Sequence, residues 1–242
     1  MSTTTARGPL LHRVQVLSTA EAEAVAGQVH ALRREWRQRH ETQPFFTLGT
    51  AAYLDAREGR FAEYQAMTRT SNAMLRAHFG DLLERFRVAV EQHVGTEAVY
   101  HPQLALPGFH IFLFDEAFRR SGASVHFDKQ YEHIDWSSIG EPDTDRQLSL
   151  TLSVRLPAGG GGLLVWNINR IEIERMAPAE RIEHSRANRV ATFESYEVGW
   201  LAIHSGHQLH QIGAAPHLQP GDERITLQAH ALPAGGTWVI YW

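Results

Sequence analysis

Two His-x-Asp tripeptides, His126-Phe127-Asp128 and His133-Ile134-Asp135, lie close together near the middle of the chain. In extended backbone alternate residues share a face, so each tripeptide can present an imidazole and a carboxylate on one side, at adjacent corners of a metal's coordination shell. The 242 residues include 15 histidines and no cysteine. Disulfides, thiolate nucleophiles and Cys-based zinc or iron–sulfur sites are thereby excluded, and any metal must be held by His, Asp or Glu. A third ligand has to come from a distant element. The segment Trp200–Ile212 offers His204, His207 and His210.

The elements that would carry these groups change character along the chain. Ser18 followed by Glu21 is a capping-box pattern ahead of a helix running to about His40, with Ala24, Val25, Val29, Leu32 and Trp36 near helical spacing. The pattern breaks at Pro44–Thr50, and a long helical stretch runs from about Phe61 to His93 with an interruption near Phe79–Asp81. The first hundred residues read as mostly helical. From Tyr100 onward short apolar runs bounded by Gly, Pro and Ser read as strands: Phe109–Phe114, Leu148–Leu156, Leu163–Trp166, Trp200–His204, Arg224–Ala231 and Thr237–Trp242. With no helical pattern recurring between them, an antiparallel sandwich is favoured over parallel winding. The expected architecture is mainly β with N-terminal helices: a double-stranded β-helix (jelly roll) core, about residues 99–242, flanked by the helices of about 1–98, all in one domain. Arg170–Ala191 is polar and charge-rich, a long connection placed to cover the mouth of the barrel. The run Gly159–Gly162 reads as a turn, since neither Lys nor Ser/Thr nor a helix follows it.

His126 and Asp128 are the better-placed pair. Phe109–Phe114 reads as a strand, Gly122 marks a turn, and Val125–Asp128 resumes extended chain at the open end of the strand pair. His133 and Asp135 come just before Trp136-Ser137-Ser138, where the chain leaves the sheet, and an ordinary loop or surface pair is a competing reading for both tripeptides. For the third ligand His210 is expected. It opens a new strand after the Ser205-Gly206 turn, and Arg224 begins the next, so two hairpin-linked strands would bring both residues to one cavity. His204 and His207 are expected to serve turn hydrogen bonds or to support the ligands from behind.

Several partner classes are unfavourable. A formal charge of −4 gives no basic field for a phosphate backbone, and the Arg33–Arg39 stretch reads as a solvated helix face. Nucleic acid is not expected. No run of about 18 apolar residues occurs, so no membrane span is expected, and the N-terminus lacks an apolar signal region, which points to the cytoplasm. The 43% hydrophobic and 21% charged composition is that of a chain able to bury a substantial core.

In order along the chain, His126-Phe127-Asp128, His210-Gln211-Ile212 and Arg224-Ile225-Thr226 resemble the pattern of the Fe(II)- and 2-oxoglutarate-dependent oxygenases: HxD, a distant His, then an Arg two residues before Ser or Thr. Gly161–Trp166 is similar to the glycine-led strand that this family places between its two metal elements. The resemblance implies that His126, Asp128 and His210 hold Fe(II) as a two-His, one-carboxylate triad, which fills three of six positions. It further implies that 2-oxoglutarate chelates the metal through its keto oxygen and C1 carboxylate, leaving a position for O2. Arg224, with Thr226 adding a hydroxyl, would then bind the far carboxylate. Hydroxylation of a small-molecule C–H bond is the default outcome, and the carboxylate of Asp128 speaks against the halogenase variant. An ion pair of Arg224 with Glu223 or Asp222 is the competing structural reading. Two alternatives stay open: a cupin-type dioxygenase or isomerase without 2-oxoglutarate, and a non-catalytic jelly-roll binding module. Tyr131, Trp136 and Trp166 are candidates for an aromatic wall beside the substrate.

Overall fold

A computed structural model describes residues 10–115, 124–215 and 217–242, so the Gly122 turn lies outside the described residues. The chain opens with strand β1 (His12–Gln15) and helix α1 (Thr19–Ala31). The capping box forms as the sequence suggests: Glu21 N–H donates to Ser18 Oγ, and Ser18 N–H donates to Glu21 Oε2 at 2.7 Å. The helix ends at Ala31 rather than near His40. Beyond a 3-10 turn at Arg33–Glu35, the Trp36 indole N–H donates to Val29 O at 3.0 Å, and β2 (Arg37–Gln38) pairs with β3 (Phe45–Leu48). Pairing with a distant strand outweighs the helical spacing of these residues.

After the single turn α2 (Ala52–Asp55), α3 spans Phe61–Val94 as one long helix. The expected interruption is a kink at Phe79 (φ −131°, ψ 23°), not a break, and the helix stops at Gly95, whose φ of 73° suits a residue without Cβ. Strands β4 (Ala98–Tyr100), β5 (Gly108–Leu113), β6 (Leu148–Arg155) and β7 (Gly162–Asn169) follow. Next come helices α4 (Arg170–Arg175) and α5 (Pro178–Ala187), then β8 (Thr192–Ser195), β9 (Trp200–Ser205), β10 (Gln208–Ile212), β11 (Glu223–Ala234) and β12 (Thr237–Tyr241). The segment read as an open polar connection is therefore two short helices, the first capped by the Asn169 side chain and the second opened by Pro178.

The strands make a mainly β core of two sheets. The larger runs β1-β9-β6-β11-β5-β3-β2, with β12 pairing β11 and, in parallel, β4. The smaller runs β10-β7-β8. The N-terminal hundred residues are thus less purely helical than their pattern suggests, since β1, β3 and β4 extend the large sheet.

Strand β11 explains how the large sheet works. Its odd residues Ile225, Leu227, Ala229 and Ala231 join Leu150, Leu152 and Val154 of β6 in a core closed by α1 and α3 through Ala22, Val29, Leu75, Phe86 and Val90. Its even residues Arg224, Thr226, Gln228 and His230 occupy the opposite face, where the small sheet lies across from them. Helices cover one face, and a polar cavity opens against the other. No helix among the described residues is long and apolar enough to cross a membrane.

Candidate active site

Two backbone hydrogen bonds set His126 and His210 against each other. His126 N–H donates to His210 O and His210 N–H to His126 O, both at 3.0 Å, so the segment at His126 lies as a bridge against β10. Asp128 N–H then donates to Gly206 O at 2.9 Å, keeping the chain extended for two more residues. Alternation puts both side chains on one side. The imidazoles of His126 and His210 lie 4.5 Å apart by centroid, and their Nε2 atoms are 3.6 and 3.5 Å from the Asp128 carboxylate oxygens. One ligand atom from each residue falls within 4.8 Å of the others, a spacing that could hold one metal ion.

The groups behind these three side chains orient their polar atoms. His126 Nδ1 lies 2.8 Å from Ser124 O, and His210 Nδ1 lies 2.8 Å from Gln208 O. A carbonyl only accepts, so each Nδ1 carries a hydrogen and Nε2 is the ring nitrogen turned to the shared point. Asp128 is buried; Gln130 Nε2 donates to its Oδ1 at 2.9 Å, and Ser149 Oγ donates to its Oδ2. Burial opposes its ionisation, but His210, His230, His204 and His126 around it together hold the carboxyl well below its usual range.

The other sequence candidates fall elsewhere. The second tripeptide sits on a 3-10 turn, Gln130–His133, and Asp135 Oδ1 accepts from Ser137 N at 3.0 Å in an exposed turn. His133 reaches the cavity rim, but Asp135 does not. His207 is fully buried with both ring nitrogens engaged, Nδ1 accepting from Arg170 Nη2 at 3.2 Å and Nε2 donating to Thr144 O. His204 lies beside His210 with ring centroids 4.8 Å apart, and burial, then His210, pushes it down to about 4, so it is neutral near pH 7.

Arg224 occupies the same cavity and is 8% exposed, but not through a hairpin as expected: β10 pairs β7 in the small sheet and β11 lies in the large one, so the two residues meet across the sheets. Strand alternation sends Glu223 to the helix face, where it pairs with Arg155 at 2.5 Å and His30 at 2.8 Å, and Asp222 accepts the Ala158 and Gln219 backbone N–H groups. Among the described residues no carboxylate pairs with Arg224; its guanidinium stands 5.4 Å from the centroid of Tyr196, and its Nε has no partner. Burial lowers its pKa, which signals a cation awaiting compensation. Thr226 is fully buried between Arg224 and Gln228, whose amide donates to Thr226 Oγ1 at 3.1 Å, and it is not part of the cavity lining.

The cavity measures about 470 Å³. Its aromatic lining is Phe45, Tyr53, Phe112, Phe127 and Tyr196, and not the trio expected. Tyr131 packs into a separate core cluster, Trp136 stands edge-on to Tyr241, and the Trp166 indole donates to Arg189 O. No residue of Arg170–Ala191 lines the cavity either. Sequence reasoning missed His110, His230, Tyr53, Ser149 and Gln130. The polar alternation along β11 pointed to His230; Tyr53 left no comparable signal.

No protein-family model matches the chain, and no curated protein sequence matches it. Among solved structures, an N-substituted L-amino acid dioxygenase from Burkholderia ambifaria AMMD is similar with a TM-score of 0.58 at 14% identity, covering 96% of this chain and 86% of that one. The same enzyme in complex with alpha-KG gives 0.56 at the same identity and coverage. A non-heme alpha ketoglutarate dependent epimerase from nogalamycin biosynthesis gives 0.50 at 14% identity, over 93% of this chain and 81% of the other. The chain shares the fold of these structures, a jelly-roll core flanked by helices.

Proposed function

We propose that this protein is an Fe(II)- and 2-oxoglutarate-dependent oxygenase that hydroxylates a C–H bond of a small molecule. The observation that carries the reading is the pairing, in one cavity, of a converging His-Asp-His group with a buried arginine that has no carboxylate partner among the described residues. His126, Asp128 and His210 would hold the metal, and their N/O donor set suits Fe(II). Arg224 would take the distal carboxylate of 2-oxoglutarate through its planar fork, compensating a charge that burial otherwise penalises. When bound, Fe(II) with 2-oxoglutarate and O2 supplies a two-electron oxidation of the substrate coupled to release of succinate and CO2.

The chain's own groups prepare that chemistry. Ser149 and Gln130 orient the Asp128 carboxylate, and the carbonyls of Ser124 and Gln208 engage Nδ1 of the two imidazoles, leaving Nε2 to ligate the metal. Phe45, Phe112 and Tyr196 keep water from the inner cavity, whose volume lies in the range of small-molecule sites. A cupin-type enzyme without 2-oxoglutarate leaves the unpaired Arg224 without a purpose, and a non-catalytic module leaves the convergent Nε2 atoms without one. The test is succinate formation from 2-oxoglutarate by iron-loaded protein, with and without O2 and after metal removal by a chelator. Turnover requiring both iron and O2 supports the reading; O2 consumption with no succinate contradicts it.

A further inference from the structure

His110 is a buried histidine lining the cavity that takes no part in the metal group. In the register of β5 against β11 it stands opposite Thr226, and Phe112 stands opposite Arg224. Opposed residues of an antiparallel pair share a face, so His110 is the diagonal neighbour of Arg224, within reach of a group that bridges the two. Its ring is held by the edge of Phe45 at 5.2 Å and by Trp242 at 5.3 Å. Its Nε2 lies 2.7 Å from the Tyr53 hydroxyl, and its Nδ1 is buried with no partner among the described residues.

A buried ring nitrogen with no partner, diagonal to a buried guanidinium whose Nε has none among the described residues, points to a shared ligand. Resting on the reading of this cavity as a 2-oxoglutarate site, we propose that His110 Nδ1–H is a second donor to the distal carboxylate, beside Arg224, with Tyr53 setting the tautomer. The Tyr53 hydroxyl donates to Nε2, which leaves the proton on Nδ1. The opposite tautomer would turn a lone pair toward the anion. Burial, and after it Arg224 and Arg39, pushes His110 down to about 3, so it acts as a neutral donor; burial also pushes Tyr53 up, so its hydroxyl keeps the proton. Tyr53 is in turn placed by α2, whose Asp55 forms a bidentate pair with Arg39 at 2.7 and 2.8 Å. The chain Tyr53 to His110 to carboxylate is an aligned relay of donors.

The test is calorimetry on Mn(II)-loaded protein with 2-oxoglutarate and with 2-oxopentanoate, a keto acid of the same length that lacks the distal carboxylate. His110→Ala should weaken 2-oxoglutarate by about 10- to 100-fold, the worth of one charge-assisted hydrogen bond, and leave 2-oxopentanoate and Mn(II) affinity unchanged. His110→Asn, whose amide places a donor near Nδ1, should restore most of the loss, and His110→Gln, which places it near Nε2, should not. Tyr53→Phe should cost less than His110→Ala. If His110→Ala does not fold, the Asn and Gln variants carry the comparison. Equal losses for both keto acids, or Asn no better than Gln, overturn the inference alone. No 2-oxoglutarate binding by the unaltered protein overturns the proposed function together with it.

Discussion

The two His-x-Asp tripeptides have the same composition and spacing and different fates. His126 and Asp128 are tied by backbone hydrogen bonds to His210 and Gly206 of another strand segment, so period-two alternation is enforced and both side chains turn inward. His133 and Asp135 straddle the end of a 3-10 turn, where no neighbouring strand imposes alternation and Asp135 is taken by the backbone of Ser137. A metal-ligand spacing acquires meaning only when a partner strand fixes the backbone that carries it. The second difference is what stands behind each carboxylate. Asp128 is buried with two side-chain donors, and Asp135 is bathed in solvent.

The sharpest way to break the comparison is to remove each carboxylate in turn. Asp128→Ala should abolish retention of Fe(II) and with it all turnover, since a first ligand is lost and two neutral imidazoles remain; His126→Ala and His210→Ala should do the same. Asp135→Ala and His133→Ala should leave iron content, measured by elemental analysis after desalting, unchanged. Next in size is Arg224→Ala, which should raise the 2-oxoglutarate Kd roughly 30-fold to several thousand-fold while sparing the metal. Arg224→Lys should lie between, because an ammonium keeps the charge and loses the fork. Calorimetry with Mn(II) measures both.

Acid should act more strongly on the first region than on the second, where the half-buried His133 is lowered in the same direction by burial. His204, at about 4 when folded and at an ordinary 6.5 when unfolded, takes up its proton first in the unfolded chain as pH falls through that window. The unfolded state then binds more protons, so metal-free protein loses stability between pH 6.5 and about 4, by about 3 kcal/mol from this residue alone. Urea unfolding at pH 7 and pH 5 should show it, with His204→Asn reducing the response while His110 and the other buried histidines keep the remainder. Smaller still is Ser149→Ala, which removes one donor from Asp128 and should weaken metal binding about 10- to 100-fold. His207→Ala should weaken metal binding least, because neither of its ring nitrogens faces the ligands.

Much of this was legible in the residues. The cores of β5, β6, β9, β11 and β12 follow from apolar runs between turn formers, and the choice of His126, Asp128 and His210 followed from alternation and strand order. What was not legible depends on distant pairing. Helix α1 stops early because Arg37 and Gln38 find β3, and the N-terminal strands become visible only once β9, β5 and β12 offer edges to them. Tyr131, Trp136 and Trp166 looked like a substrate wall because aromatic content cannot say where a ring points: Tyr131 lies on a 3-10 turn, Trp136 follows it outside any strand, Trp166 is on β7, and Phe45 and Phe112 line the cavity instead. His110 and Tyr53 meet through the register of β5 and the anchoring of α2, and neither is written locally.

The central claim is that His126, Asp128, His210 and Arg224 together form one site for iron and a 2-oxo dicarboxylate. Anaerobic titration of the Fe(II)-loaded protein with 2-oxoglutarate, followed in the visible range, tests it most directly, because a metal-to-keto-acid charge-transfer band requires both partners bound in contact. The account predicts a band that saturates at one equivalent, persists in Asp135→Ala, shifts to higher ligand concentration in Arg224→Lys and is absent in Asp128→Ala. Iron retained with no band on adding 2-oxoglutarate, or a full band in Asp128→Ala, would contradict it.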